Sequence, residues 1–255
     1  MGMSTRESSA ALLVCNRQAM TGIRPIFAIA LGRLNRMAFQ PMPLSRKVLP
    51  FDHPDWLFEL KYDGFRSLAV IQNGRCNLIS RNGHPFNSFK ELSKNFAVIP
   101  STGKTVIDGE IVCVDKRGRP QFRDLLFHRG EPSFVAFDLL MSDGKDLRSE
   151  RLTDRKQELR RLLSKVPLPR MQYAEHVEQY GTALFQRVCE MDLEGIVAKH
   201  SFGNYVTERT TWFKIRNPHY SQMEGREKLF ERERHNEPAP GWHSCELACL
   251  EVEHA

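Results

Sequence analysis

The sequence predicts an α+β fold. Short runs rich in β-branched and aromatic residues recur between Trp56 and Asn217, and turn residues bound them, as is typical of strands. Only a few stretches show helical periodicity, and they do not alternate regularly with the strands as a doubly wound parallel sheet would require. No internal repeat is visible. These observations together favour sheets with a few helices packed against them.

The individual elements follow from local patterns. Alternation and apolar runs predict strands near residues 57–62, 67–73, 76–81, 105–114, 133–139, 194–199 and 211–216. A capping box at Ser88–Glu91 predicts a helix from Phe89 to just before Pro100. Further helices are expected after Thr153 with Leu159, Leu162 and Leu163 inward, over 182–191 with Leu184, Phe185, Val188 and Cys189 buried, and over 224–234 as a charged surface helix.

Composition limits the classes of function. The chain has 255 residues, 41% hydrophobic and 27% charged, which is typical of a globular protein with a real core. A formal net charge of +6 suits a polyanionic partner such as nucleic acid or nucleotide, and suits equally a mildly basic enzyme surface. The six cysteines show no paired framework, and no apolar run approaches the roughly 20 residues of a membrane span. We expect a cytoplasmic protein with no membrane partner.

Three regions are expected along the chain. Residues 1–36 lack regular pattern and are interpreted as a disordered or non-native leader. Residues 37–217 carry the folded domain. Residues 218–255 hold the charged helix, a Pro-rich stop at 238–241 and a short tail.

The polar motifs are weak one by one. Lys61-Tyr62-Asp63-Gly64 can be a lysine before an ordinary turn, and Asp108-Gly109-Glu110 a turn that feeds a strand. Phe134–Asp138 can be core aromatics, Glu194–Lys199 a solvated strand edge, and Trp212–Arg216 an exposed strand face.

Their order along the chain carries the signal. "KYDGFR", "SRNG", "DGE", "FD", "EGIVAK" and "KIR" resemble the collinear motif set of the covalent nucleotidyltransferases. The residues within these motifs are most similar to those of bacterial ATP-dependent DNA ligases, including the ligase domains of end-joining enzymes, and the resemblance covers about residues 38–217. The resemblance implies an adenylation domain of antiparallel sheets flanked by helices, with an ATP cleft between them.

The resemblance also implies the chemistry. Lys61 would attack the α-phosphate of ATP, expel pyrophosphate and hold AMP as a phosphoramidate. AMP would pass to the 5′-phosphate of nicked double-stranded DNA, and the 3′-hydroxyl would then displace it, in DNA repair or recombination. Nearby cations, namely Lys214, Arg216 and a bound Mg²⁺, would lower the pKa of the lysine and neutralise the triphosphate.

Further roles are carried onto matching positions. Asp63 would support the later steps, Glu59 would lie beside the adenine, Arg66 would touch the sugar or phosphate, and Phe137 would stack on the base. Glu110 would bind the ribose or the metal, Glu194 would hold Mg²⁺, and Arg81 would engage the 5′-phosphate. Lys199 receives no role, because strand parity places it opposite Glu194.

The chain departs from the family pattern twice. Arg216 stands where the family usually has lysine, which changes geometry and hydration. Residues 218–255 are too few and too irregular for the five strands of an OB-fold, so none is expected there. We expect weak nick sealing, or dependence on a separate protein that supplies the OB-fold or end-binding function.

Two alternatives stay open at this point. One is a noncatalytic nick-binding accessory protein that retains the pocket. The other is an RNA ligase or RNA guanylyltransferase, which would use the same lysine chemistry.

Overall fold

The computed structural model describes residues 39–224. The strands are β1 (Ser45–Arg46), β2 (Asp52–Leu60), β3 (Phe65–Gln72), β4 (Arg75–Ser80), β5 (Thr105–Cys113), β6 (Pro132–Ser142), β7 (Lys145–Asp146), β8 (Met171–Tyr173), β9 (His176–Tyr180), β10 (Gly195–His200) and β11 (Trp212–Arg216). The α-helices are α1 (Lys90–Lys94), α2 (Phe122–Leu126), α3 (Leu152–Leu163) and α4 (Gly181–Glu190). Short 3₁₀ turns cover Asn87–Phe89 and Ser221–Met223.

The strands form two sheets. The first has the order β1-β11-β10-β2-β9, and the second has the order β4-β3-β5-β6-β7 with β8 added to β6. Neighbours are antiparallel except for two short parallel pairs, β1 with β11 and β8 with β6. β2 belongs to the first sheet and β3 to the second, so the four residues between them, 61–64, lie where the chain crosses from sheet to sheet.

Each sheet has its own hydrophobic core. The larger cluster lies on the second sheet under α1, α2 and α3 and is rich in phenylalanine, with Phe65, Phe86, Phe89, Phe96, Phe122 and Phe134 all buried. A smaller cluster joins α4 to the first sheet through Phe58, Val188, Leu193, Ile196, Ala198 and Ile215. The two cores fix one face of each sheet and leave other faces available to form a site.

The predicted α+β class is confirmed, and several boundaries differ from the prediction. The predicted helix from Phe89 was wrong in extent, since α1 ends at Lys94 and turns continue towards Ile99. Here Ser93 Oγ and Asn95 Nδ2 bond to carbonyl groups of the same turn, which ends the helix early. On α4 only Val188 of the predicted inward residues is fully buried. Five short elements were not predicted from the sequence, because none has more than five residues: β1, β7, β8, β9 and α2.

Some predictions fall outside the described part of the chain. The leader and all but Glu224 of the 224–234 helix lie there, as does the rest of the tail. Within residues 39–224, none of the helices has the length and apolar character to cross a bilayer, and the longest, α3, has 12 residues. Cys76 and Cys113 are buried free thiols.

Candidate active site

A cavity of about 300 Å³ opens between the two sheets. The first sheet lines it with Glu59, Val197, Lys199, Trp212 and Lys214. The second sheet and its loops contribute Phe65, Arg66, Arg81, Glu110 and Phe137. The connecting turn adds Lys61, Tyr62, Asp63 and Gly64. The cavity is of the size that small-ligand sites commonly have, and charged groups of both signs line it.

Lys61 is the first residue after β2, and its amine is ion-paired. The Lys61 backbone N–H donates to the Gly195 carbonyl at 2.9 Å, which keeps its main chain in register with β10. Its Nζ lies 2.7 Å from Glu194 Oε1, and the side chains are only 10% and 3% exposed. Gly195 has φ +150°, and a Cβ there would lie 2.2 Å from the Ile215 carbonyl oxygen. A glycine is therefore required directly after Glu194.

A second glycine fixes the turn after Lys61. A Cβ on Gly64 would lie 2.1 Å from the Ile111 carbonyl oxygen, so only glycine allows the turn to approach β5 this closely. The neighbouring Asp63 is buried, and its Oδ2 accepts a hydrogen bond from Tyr220 Oη at 3.0 Å. The K-x-D-G motif thus places an amine and a carboxylate on one short turn.

Glu59 holds two buried lysines. Lys156 Nζ, from α3, lies 2.5 Å from Glu59 Oε1, and Lys199 Nζ, from β10, lies 2.6 Å from Glu59 Oε2. Burial alone would raise the pKa of Glu59, but the two positive charges outweigh it and hold that pKa below its ordinary value. Burial lowers the pKa of Lys199 to about 8, aided by the charge of Lys156 and opposed by Glu59. Two ammonium groups share one carboxylate, so one positive charge is in excess.

Arg66 is held by the second sheet. Its Nε and Nη2 donate to Asp108 at 3.2 and 2.8 Å, and its Nη1 donates to the Met42 carbonyl at 2.7 Å. Tyr205 Oη donates to Asp108 at 2.7 Å. Most of the hydrogen bonds of the guanidinium are therefore made within the protein, although Arg66 also lines the cavity.

The other predicted residues lie in or next to the same cavity. Glu110, Phe137, Lys214 and Arg81 line it. The Phe137 ring lies 4.3 Å from Lys199 Nζ and packs edge-on against Trp212. Arg216 is paired with Gly195 in the register of β10 and β11 and lies outside the lining set. The structure thus brings the predicted residues into one region, and their individual roles stay predictions.

The structure also adds residues that sequence reasoning missed. Three residues without a predicted role contact the predicted ones. Lys156 contacts Glu59, Trp212 contacts Phe137, and Tyr220 contacts Asp63. Lys199 also lines the cavity. Glu194 lies before the start of β10, so the alternation of side chains along the strand does not place Glu194 and Lys199 on opposite faces. A buried lysine has no local sequence signal, since its burial depends on a distant carboxylate.

Carboxylates at this site are the candidate metal ligands, namely Glu110 and Glu194. Within residues 39–224, His, Cys, Asp and Glu side chains form no group of three or more able to hold a metal ion. Mg²⁺ commonly takes only one or two protein carboxylates and completes its shell with water and substrate phosphates. The hard oxygen donors of Glu110 and Glu194 fit that mode.

The fold and site define a domain of two sheets with a lysine amine at the cleft between them. The sequence profile described as "ATP dependent DNA ligase domain" matches residues 39–216. The chain belongs to this family. The resemblance drawn from the motifs is thereby confirmed.

Two relatives and one solved structure are similar to this chain and are named as ligases or end-joining proteins. The multifunctional non-homologous end joining protein LigD of Pseudomonas aeruginosa is 31% identical over 169 residues, covering 64% of this chain and 20% of that protein. The bifunctional LigD of Bacillus subtilis is 31% identical over 216 residues, covering 71% of this chain and 34% of that protein. The structure of mycobacterial DNA ligase D complexed with ATP and MES is 27% identical, with a TM-score of 0.59, and the match covers 69% of this chain and 60% of that one. The chain therefore spans only a part of these proteins.

Proposed function

We propose that this chain is an ATP-dependent DNA ligase adenylation domain that acts on nicked double-stranded DNA in repair or recombination. The single observation that carries the proposal is the placement of Lys61 Nζ, 2.7 Å from Glu194 Oε1, at a cavity that Glu110 and Lys214 also line. Membership of the ligase family and similarity to the mycobacterial DNA ligase D that was solved in complex with ATP support it.

The first step is transfer of AMP to Lys61. The Lys61 nitrogen forms a bond to the α-phosphorus of ATP, the bond from that phosphorus to the pyrophosphate oxygen breaks, and pyrophosphate leaves with the electron pair. The amine must lose a proton to attack, and Glu194 Oε1 is an acceptor within hydrogen-bond reach. Lys214 supplies positive charge beside the triphosphate, and Arg66, which also lines the cavity, would touch the sugar or a phosphate. Catalysis of such transfers is mostly positioning and electrostatic stabilisation.

Glu110 and Glu194 would hold Mg²⁺, which would supply charge neutralisation at the phosphates. A carboxylate has two oxygens, so Glu194 could serve both as a ligand of the ion and as the acceptor for the Lys61 proton. Glu59, held by Lys156 and Lys199, would lie beside the adenine, with Phe137 against its face. Arg81, at the same cavity, would contact the 5′-phosphate of the nick. A separate protein that supplies an OB-fold or end-binding function would strengthen the hold on the DNA.

The test is formation of a covalent adduct. The purified chain is incubated with α-labelled ATP or GTP and Mg²⁺, beside the variant Lys61→Ala. An acid-labile adduct formed from ATP only, and lost in Lys61→Ala, supports adenylation. An adduct from GTP would indicate RNA guanylyl transfer, and the absence of any adduct would indicate a noncatalytic nick-binding protein.

A second assay identifies the joined strand. Nicked duplexes that carry either DNA or RNA on the 3′ side are offered to the adenylated protein. Preferential sealing of the DNA nick supports the proposal, and preference for RNA would contradict it.

A further inference from the structure

A short segment after β11 fastens the two sheets to each other; we call residues 217–224 the strap. At its start, the Asn217 N–H donates to the Glu194 carbonyl at 2.8 Å, next to β10 of the first sheet. Towards its end, Gln222 Nε2 donates to the Pro120 carbonyl at 2.8 Å and Gln222 Oε1 accepts the first N–H of α2 at 3.1 Å. Because α2 packs in the core of the second sheet, the strap is held from both sides.

Tyr220 lies in the middle of the strap and reaches the turn that carries Lys61. It is 5% exposed, and its Oη donates to Asp63 Oδ2 at 3.0 Å. Asp63 is 4% exposed and lines the cavity two residues after Lys61. Tyr220 lies beyond the matched residues 39–216 and belongs to none of the motifs.

We propose that Tyr220 is a positioning residue that acts through Asp63 in the DNA-joining steps. The inference rests on the proposed function. A hydrogen bond to a carboxylate is strong, and a buried phenol with two rotatable torsions fixes the side chain it contacts at little entropic cost. The Lys61 amine has its own partner in Glu194, so we expect adenylation of Lys61 to depend little on this hydrogen bond.

The later steps are where Asp63 is expected to act. In the sealing step the 3′-hydroxyl oxygen forms a bond to the 5′-phosphorus, the bond from that phosphorus to AMP breaks, AMP leaves with the electron pair, and the hydroxyl proton passes to solvent water. This step requires the reacting oxygen and phosphorus to be aligned beside the cavity, and a misplaced carboxylate slows it.

Tyr220→Phe removes only the hydroxyl and tests the proposal. We expect the rate of lysyl-AMP formation to stay within about 2-fold of the wild type, since the ring still fills its place. We expect single-turnover sealing of a nicked duplex by the preadenylated protein to fall about 10-fold at saturating DNA, with the apparent KM for DNA unchanged. Gln222→Ala is the matched control, because it loosens the strap from α2 without touching Asp63, and its sealing rate should stay within about 2-fold.

A double-mutant cycle shows whether the effect passes through Asp63. If it does, Asp63→Asn with Tyr220→Phe seals no more slowly than Asp63→Asn alone. Three outcomes would each overturn the proposal. The losses of sealing rate in Asp63→Asn and Tyr220→Phe could be additive, Gln222→Ala could seal as slowly as Tyr220→Phe, or Tyr220→Phe could slow adduct formation as much as sealing. Wild-type sealing by Tyr220→Phe would also overturn it, as would a wild-type protein that forms the adduct and transfers AMP to no nick. A wild-type protein that forms no adduct overturns the proposed function itself, and this inference with it.

Discussion

The two sheets carry two different kinds of buried ion pair. On the second sheet the cations are arginines, with Arg155 Nη2 2.8 Å from Asp138 Oδ2 and Arg66 Nη2 2.8 Å from Asp108 Oδ2. On the first sheet the carboxylates hold lysines, with Lys61 on Glu194 and both Lys156 and Lys199 on Glu59. The distances are alike, and the chemistry differs.

The difference follows from the two cations. Arg155 and Asp138 are fully buried, and the guanidinium also donates to the Glu150 and Gly203 carbonyls, so four of its five N–H groups donate hydrogen bonds. Burial would lower the pKa of Arg66, but Asp108 outweighs it and raises that pKa above its usual range. An arginine pair therefore keeps its charge and acts as a fixed brace. A lysine can give up its proton, as the lowered pKa of Lys199 indicates, and the lysines stand where we place the chemistry.

Lys61→Arg gives the largest expected effect. Arginine keeps the positive charge and the ion pair with Glu194, but the guanidinium stays protonated and is no nucleophile. We expect adduct formation from α-labelled ATP to fall at least ~10³-fold while the urea midpoint changes little. The control is Lys145→Arg, at an exposed lysine 3.8 Å from Glu150, which should retain wild-type adduct formation. Adduct formation by Lys61→Arg above about 1% of the wild-type rate would contradict the role of the amine.

Arg155→Met tests the bracing role. Removing one partner of a buried pair leaves Asp138 as an uncompensated charge, so we expect the free energy of unfolding to fall by about 3–5 kcal/mol, measured by urea unfolding. Adduct formation per folded molecule should stay within about 2-fold, because this pair lies outside the cavity lining. Arg155→Met with Asp138→Leu should recover much of the loss, since an apolar pair of similar volume often replaces an ion pair well. No recovery in the double variant would show that the hydrogen bonds from Arg155 to the Glu150 and Gly203 carbonyls stabilise the fold more than the ion pair does.

The sequence predicted most of the sheets because strand alternation and turn residues are local signals. Glycines 64 and 195 stand in motifs because backbone from other strands passes within 2.1–2.2 Å of where a Cβ would lie. Distant pairings could not be predicted in this way. Lys156 sits among charged residues of α3 and resembles a solvated side chain, and its partner Glu59 is 97 positions away. Tyr220 and Asp63 are 157 positions apart, and nothing local marks the tyrosine.

The smallest expected effect is a pH dependence that belongs to Lys199 alone. Its pKa is about 8 in the folded protein against an ordinary value of 10.5. Between these two pH values Lys199 is protonated in the unfolded chain and neutral in the folded chain, so raising the pH stabilises the fold. Below pH 8 the side chain is charged in both states, and burying the ammonium lowers the stability of the fold. Burial raises the pKa of Cys76 and Cys113, which acts in the opposite direction at high pH. The measurement must therefore be a difference between two proteins that share those cysteines.

Wild type and Lys199→Met form that pair. Lys156 still holds Glu59 in the variant, so the carboxylate keeps a partner. We expect the wild-type free energy of unfolding, relative to the variant, to rise by up to about 1.4 kcal/mol per pH unit between pH 8 and 10, and to stay flat between pH 6 and 7.5. Lys145→Met, at an exposed lysine, should show no such difference slope. A flat difference for Lys199→Met would mean that Lys199 stays charged on Glu59 and behaves like the arginines, which would remove the distinction between the two sheets.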